Sequence, residues 1–178
     1  MACRRNKETY KKTSVGLDDK WGLNHGAWSV VKHLYPLADV PIIQMSIDYT
    51  QNAQYHYDLA KELATLRNKG VLIVGSGNLV HNLMLADFPN INKDNYGYDS
   101  AIEASTKMKQ LIMSNDNKSL INFQSQGKAF ELAIPSPEHY LPMIYSLAFK
   151  EENEKITIFN DKAVAGSLTM TSIKIDKA

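Results

Sequence analysis

The sequence predicts a single α/β domain, with a mostly parallel or mixed central sheet flanked by helices. Three observations carry that expectation. A chain of 178 residues is long enough to bury one substantial core. Apolar residues make up 44% and charged residues 22%, a balance typical of globular domains. Between residues 40 and 74, an apolar β-rich run, an amphipathic helical run and a second apolar run follow one another. That order is a βαβ unit, whose crossover is right-handed and whose ligands gather near the carboxyl ends of the strands.

The elements follow in order. Residues 25–34 place Ala27, Val30, Val31 and Leu34 at helical spacing and stop before Pro36. Residues 40–47 are rich in β-branched and apolar side chains and read as a buried strand. In residues 52–68, Tyr55, Leu59, Leu63 and Leu66 share one helical face, and Gly70 stands at the stop. Val71 to Val74 is all apolar, as in a strand buried on both faces of a parallel sheet. A further helix is expected over 100–113, while 115–126 is too polar to assign. Residues 138–149 read as a helix with Pro142 in its first turn. Strands are expected over 156–159 and 167–175. No internal repeat or low-complexity linker divides the chain.

Composition narrows the function classes. A net charge of +1 gives no general attraction to nucleic acid or an anionic membrane. No apolar run approaches the length of a membrane span, and the N-terminus carries no apolar signal core. The single cysteine, Cys3, rules out an internal disulfide framework and fits a cytoplasmic protein. Residues 1–15 are basic, with Arg4, Arg5, Lys7, Lys11 and Lys12 against Glu8, and are expected to be a disordered tail before a domain over 16–178.

The Gly75-Ser-Gly-Asn-Leu-Val80 run has two glycines of a dinucleotide fingerprint, but Val80 replaces the third. Val74 stands two residues before Ser76, so the run is not a nucleophile elbow either. The chemistry is sought instead among the five histidines. His81 lies just beyond an apolar strand and a glycine turn. His139 lies in the stiff turn Pro135-Ser-Pro-Glu-His-Tyr-Leu-Pro142. Both are placed to aim a neutral imidazole, the commonest metal-binding side chain, into a cleft; the competing reading is a buried histidine bonded to backbone. His25 precedes Gly26 at a helix start and could also face a cleft. His33 reads as a helix-end cap, and His56 as a surface or packing residue. Glu138 reads as a carboxylate at a helix N-terminus rather than a ligand.

Several blocks in order resemble the class III extradiol ring-cleavage dioxygenases, and within them the DOPA 4,5-dioxygenase-like subgroup. The blocks are Gly22-Leu-Asn-His-Gly-Ala-Trp28, His33-Leu-Tyr-Pro36, Asp39-Val-Pro-Ile-Ile-Gln-Met-Ser-Ile-Asp48, Gly75-Ser-Gly-Asn-Leu-Val-His-Asn-Leu83, Pro135-Ser-Pro-Glu-His-Tyr-Leu-Pro142 and Gly166-Ser-Leu-Thr-Met-Thr-Ser172. The resemblance runs from about residue 16 to residue 175. It implies an α/β fold like that of the family's B subunit, and one divalent metal ion, iron(II) or zinc. Four histidines are associated with the metal in the subgroup, and His81 and His139 match the later two. The earlier two belong to a Gly-His-Gly-Ser-Pro turn and a Ser-Ala-His-Trp type block, neither of which this sequence contains. The domain is therefore expected to correspond to the C-terminal portion of the family.

The resemblance further implies a catechol-type aromatic such as DOPA and dioxygen as substrates, with no nucleic-acid or membrane partner and with homo-oligomers open to it. His25 is then the acid/base or substrate-orienting group. Ring cleavage needs a firmly held metal, so a chain with half of the ligands is expected to be impaired unless the others are supplied. The alternative is a non-enzymatic family domain that serves as a binding or assembly module. A zinc hydrolase is a weaker third reading, because no catalytic carboxylate is well placed.

Overall fold

Seven of the eight residues of one helix, Leu141–Ala148, are buried in the computed structural model, which describes residues 16–177. This helix, α6, is apolar on all sides, as a helix at the centre of a core must be. Leu141, Ile144 and Leu147 pack into one cluster with Met108 and Ile112 of α3 (Asp99–Met113), Leu120 of α4 (Asn117–Ile121) and Phe130 of α5 (Lys128–Ala133). Tyr145 and Ala148, with Phe149 just beyond, pack into a second cluster with Leu59, Ala60 and Leu63 of α2 (Ala53–Leu63). Pro142 falls in the first turn of α6, where its missing N–H leaves no hydrogen bond unmade. Just before α6, buried Tyr140 donates its hydroxyl to Leu120 O at 2.9 Å, tying the helix start to α4.

Local signals set the other helices. α1 (His25–Leu34) covers the residues expected and is capped by Asn24, whose side chain accepts from Ala27 N–H. α2 begins at the Asn52 cap and passes at Ala64 into a 3₁₀ helix, Ala64–Lys69, closed by Gly70 at φ 76°. Its expected apolar face is the observed one for Leu59 and Leu63. His56 shares that face and is fully buried, so the packing alternative for this residue holds and the surface alternative does not. α4 and α5 fill ground that periodicity left unassigned, because helices of five and six residues are too short to show a repeat.

The expected central sheet is not present among the described residues. Two small antiparallel sheets are found instead. One pairs β1 (Glu154–Phe159) with β4 (Ser172–Lys177), setting Ile156 opposite Ile175 and Ile158 opposite Ile173. The other pairs β2 (Ala163–Val164) with β3 (Leu168–Thr169). The runs 40–47 and 71–74, expected as the strands of a βαβ unit, carry no strand pairing. Apolar composition favours burial, but a strand also needs a neighbouring backbone to meet its N–H and C=O groups. Among the described residues the one backbone bond of these runs is local, from Val71 N–H to Leu66 O at 3.3 Å, and no ladder forms. Ile43 is 70% exposed and Leu72 64%, while Ile47 and Ile73 alone of the two runs are half-buried against the core. The basic stretch 1–15 lies outside the described residues.

Two buried polar groups hold distant segments together. Glu154, at the start of β1, is forked by the Arg67 guanidinium, which also donates to Phe149 O at 2.7 Å. The Arg67 hydrogen bonds hold the Glu154 carboxyl down at about 2, well below its usual range. His56 Nε2 lies 3.0 Å from Asp48 O and Nδ1 lies 2.9 Å from Tyr145 Oη. A carbonyl only accepts, so in the neutral ring Nε2 carries the proton and Nδ1 accepts from Tyr145. Burial pushes the His56 imidazole below its ordinary value, against the pull of the Asp48 carbonyl and carboxylate.

Two outcomes are expected. Arg67→Ala leaves a buried carboxylate unpaired and lowers stability by about 2–3 kcal/mol near pH 7 in urea unfolding. Because the folded-state value of Glu154 is depressed, its contribution is present above the ordinary carboxylate range and is lost as pH falls toward 2. The gap between Arg67→Ala and wild type therefore narrows over that interval. For His56 the unfolded chain binds the proton more readily. Stability thus declines as pH drops below the ordinary imidazole value, and levels off once the folded ring is protonated. His56→Gln is less stable at pH 7.5 but shows a shallower decline between pH 7.5 and 5.

Candidate functional site

Residues 78–82 cross the core as an extended run stitched to three other segments. Leu79 and Val80 are buried. Val80 and Thr169 exchange backbone contacts: Thr169 N–H donates to Val80 O at 3.1 Å, and Val80 N–H donates to Thr169 Oγ1 at 3.3 Å. Asn82 N–H donates to Ser167 O at 3.1 Å, and the Ser167 hydroxyl donates back to Asn82 O at 2.6 Å. On the other side, His81 N–H donates to Ala133 O at 2.9 Å and the Asn82 amide donates to Leu132 O at 2.7 Å. Val80 and Asn82 lie one position to either side of His81. In an extended run their side chains turn into the core, while the His81 ring turns the other way and is half-buried.

His139 arrives from the turn before α6. Pro137 O accepts from both Tyr140 N–H and Leu141 N–H at 2.9 Å, which closes the turn and sets the helix entry. His139 O in turn accepts from Asn78 N–H at 2.9 Å. The two glycines between Val74 and Asn78 make that approach possible. A Cβ on Gly77 would stand 2.2 Å from His139 O, and one on Gly75 2.7 Å from Pro142 O. These glycines serve close packing of one backbone on another, not the cradling of a phosphate.

The His81 and His139 rings are stacked, with centroids 3.6 Å apart and planes inclined by 19°. Burial lowers the His81 imidazole, the neighbouring His139 ring lowers it further, and Glu138 opposes both. Burial and the His139 ring both favour the neutral form of the His81 ring, the form that binds metals. Partial burial pushes the Glu138 carboxyl up. Its own backbone N–H, the Ser136 hydroxyl at 2.8 Å and the two imidazoles outweigh this and hold it below its usual range.

The structure thus brings together two of the three residues singled out from sequence. His25 is exposed and is the first residue of α1. Its helix rests on the same glycine turn, since a Cβ on Gly26 would lie 3.2 Å from Ser76 Oγ. The preceding residue, Asn24, is held by a 2.8 Å bond from its N–H to Gln44 Oε1. The residue after His25 thus lies against the glycine turn whose Gly77 packs on His139 O. Two shallow cavities, of about 190 and 340 Å³, lie elsewhere: the first is bounded by Trp28, Tyr35 and Ile42, the second by Phe123, Phe130 and Pro137. Neither is lined by a histidine.

In their chemistry, two adjacent neutral imidazoles suit iron(II) or zinc as part of a ligand set. No cluster of three His, Cys, Asp or Glu side chains placed to hold an ion is found among the described residues. With near-parallel planes the in-plane nitrogen lone pairs run side by side rather than converging. The stacked pair alone therefore does not form an ion site and offers at most two donors to a set that needs more. Sequence reasoning missed the residues around the pair, namely Asn78, Asn82, Ser167 and Thr169. One signal for them was present: asparagines flank the apolar run Leu79–Val80, and polar groups in a buried run need partners.

Comparison with known proteins agrees with this architecture. Residues 5–160 match the family described as the catalytic LigB subunit of aromatic ring-opening dioxygenase. A 4,5-DOPA dioxygenase extradiol of Escherichia coli K12 is 35% identical over 90% of this chain and 59% of its own length. One from Beta vulgaris is 30% identical over 90% of this chain and 59% of its own length. A crystal structure of an uncharacterized protein from Escherichia coli K12 superposes with a TM-score of 0.73 at 34% identity, covering 86% of this chain and 62% of that one. The chain spans about three fifths of the length of the relatives it matches. With the family match extending over most of its residues, the chain belongs to the family of catalytic LigB subunits of aromatic ring-opening dioxygenases.

Proposed function

We propose that this chain serves extradiol cleavage of a catechol-type aromatic such as DOPA, in a site that holds one divalent metal ion. The observation that carries the reading is the meeting of His81 and His139. They lie 58 positions apart in the chain and their rings are 3.6 Å apart. Relatives named 4,5-DOPA dioxygenase extradiol, and a more distant one named dioxygenase, support the reaction class.

The roles follow from chemistry. His81 and His139 would hold the ion through neutral ring nitrogens, together with ligands from beyond the described set. An iron(II) ion held there would supply Lewis-acid activation of the catechol and the electron density that dioxygen needs to react. His25, at the loop beside the pair, would take the proton of a catechol hydroxyl and return it to the opened ring. The ring bond beside a hydroxyl-bearing carbon breaks. Both oxygen atoms of dioxygen enter the product, one in a new carboxyl and one in a new aldehyde. Half-burial of the His81–His139 pair limits the access of water to the ring nitrogens. Zinc keeps one oxidation state, so a zinc-loaded protein would bind a catechol without opening it.

The test is to load the protein with iron(II) without air, add catechol or DOPA, admit air, and follow the yellow semialdehyde and oxygen uptake. One dioxygen consumed per ring opened is expected. His81→Ala and His139→Ala should each lower turnover by about 100-fold or more. His25→Ala should lower it while leaving iron binding intact. Turnover unaffected by loss of either imidazole would refute the reading. No turnover with bound iron would favour a binding module.

A further inference from the structure

We propose that Asn78 is a positioning residue that sets the spacing of the His81 and His139 imidazoles. The inference rests on the proposed metal-binding role of that pair, but it concerns residues outside it. Among the described residues, Asn78 is the one bonded to both supports of the pair. Its backbone N–H donates to His139 O at 2.9 Å, and its side-chain amide donates to Thr169 O at 2.7 Å. Thr169 belongs to β3, whose Leu168 is bridged antiparallel to His81 itself. One side of Asn78 therefore carries the turn that presents His139, and the other grips the strand that backs His81.

Among the described residues, the remaining hydrogen bonds leave this link without a duplicate. His81 is anchored to Ala133 O by its own N–H, and Asn82 is anchored to Ser167 and Leu132. None of those bonds reaches the His139 turn. Close contact of Gly77 with His139 O presses the turn toward the run, yet it does not set register along β3. The amide of Asn78 does so, because a directional 2.7 Å bond to one carbonyl fixes where the run lies against that strand. Thr169 is 2% exposed, so its carbonyl side of the strand lies within the core, where a lost donor is not readily replaced by water.

Asn78→Asp is the sharpest probe. It keeps the shape of the side chain, removes the donor and sets a carboxylate oxygen against Thr169 O. Asn78→Ala is the second variant should Asn78→Asp fold poorly. Asn122→Ala is the control, since Asn122 also spends its amide on a backbone carbonyl, that of Lys118, at the end of α4. In metal-free protein, the ring-proton resonances of His81 and His139 report the stack directly by NMR. Both should move in the Asn78 variants and stay in place in Asn122→Ala. With cobalt(II) as probe, affinity should fall about 10–100-fold in the Asn78 variants, and the ligand-field bands should shift, while both are unchanged in the control. Unmoved ring resonances in a folded Asn78 variant, or equal movement in the control, would overturn the proposal. If wild-type protein binds no cobalt(II), the metal role of the pair fails, and the metal-free resonances still decide the role of Asn78.

Discussion

Residues 78–82 must satisfy every backbone polar group inside an apolar core, and much of the fold is arranged around that demand. The run cannot hydrogen-bond to itself as a helix would, so its partners come from elsewhere: Ser167 and Thr169 on one side, Leu132 and Ala133 on the other. These segments are separated by about fifty to ninety positions in the chain. Each bond contributes on the order of 1 kcal/mol net, but leaving one unmade in the core costs more than making it gains. The short strand β3, the loop before it and the end of α5 are therefore held to one arrangement. His81, in the middle of the run, has its backbone fixed from both sides.

His139 is fixed by a different device. Its turn is closed by bonds to Pro137 O, and it approaches the run so closely that neither Gly75 nor Gly77 has room for a side chain. Two rigid supports thus set two imidazoles face to face, on chain segments that share no secondary structure. The electrostatic consequence follows from geometry: half-burial and a like neighbour both work against charging His81. A neutral pair is the state in which ring nitrogens can serve as ligands. α1 leans on the same glycine turn through Gly26, which brings His25 to the neighbourhood without joining it to the pair.

The core proper is helical. α6 supplies both of its clusters, and the buried polar groups Glu154 and His56 lock β1 and the segment ending at Asp48 against it. The apolar runs 40–47 and 71–74 stand outside this arrangement, with only Ile47 and Ile73 engaged. Their hydrophobicity is as strong as that of the core helices. What differs is that no neighbouring backbone in the described residues lies alongside to form a ladder.

Local signals in the sequence were enough for the longer helices. The spacing of Ala27, Val30, Val31 and Leu34, that of Leu59 and Leu63, and the proline in the first turn of α6 each act over a few residues and need no distant partner. The expected strand 156–159 falls within β1, whereas the single strand expected over 167–175 is divided between β3 and β4, which pair with different partners. Block order also carried the family and pointed to His81 and His139. The sheet was not legible, because strand identity is a relation between segments and composition describes only one of them. Nor were Asn78, Asn82, Ser167 and Thr169, whose importance lies in what they bond rather than in what they are. The sequence by itself determined where the longer helices lie and which imidazoles were candidates for the chemistry. Only tertiary structure decided that two imidazoles 58 positions apart stack at 3.6 Å, because that distance comes from hydrogen bonds and close backbone contacts among segments that meet only on folding.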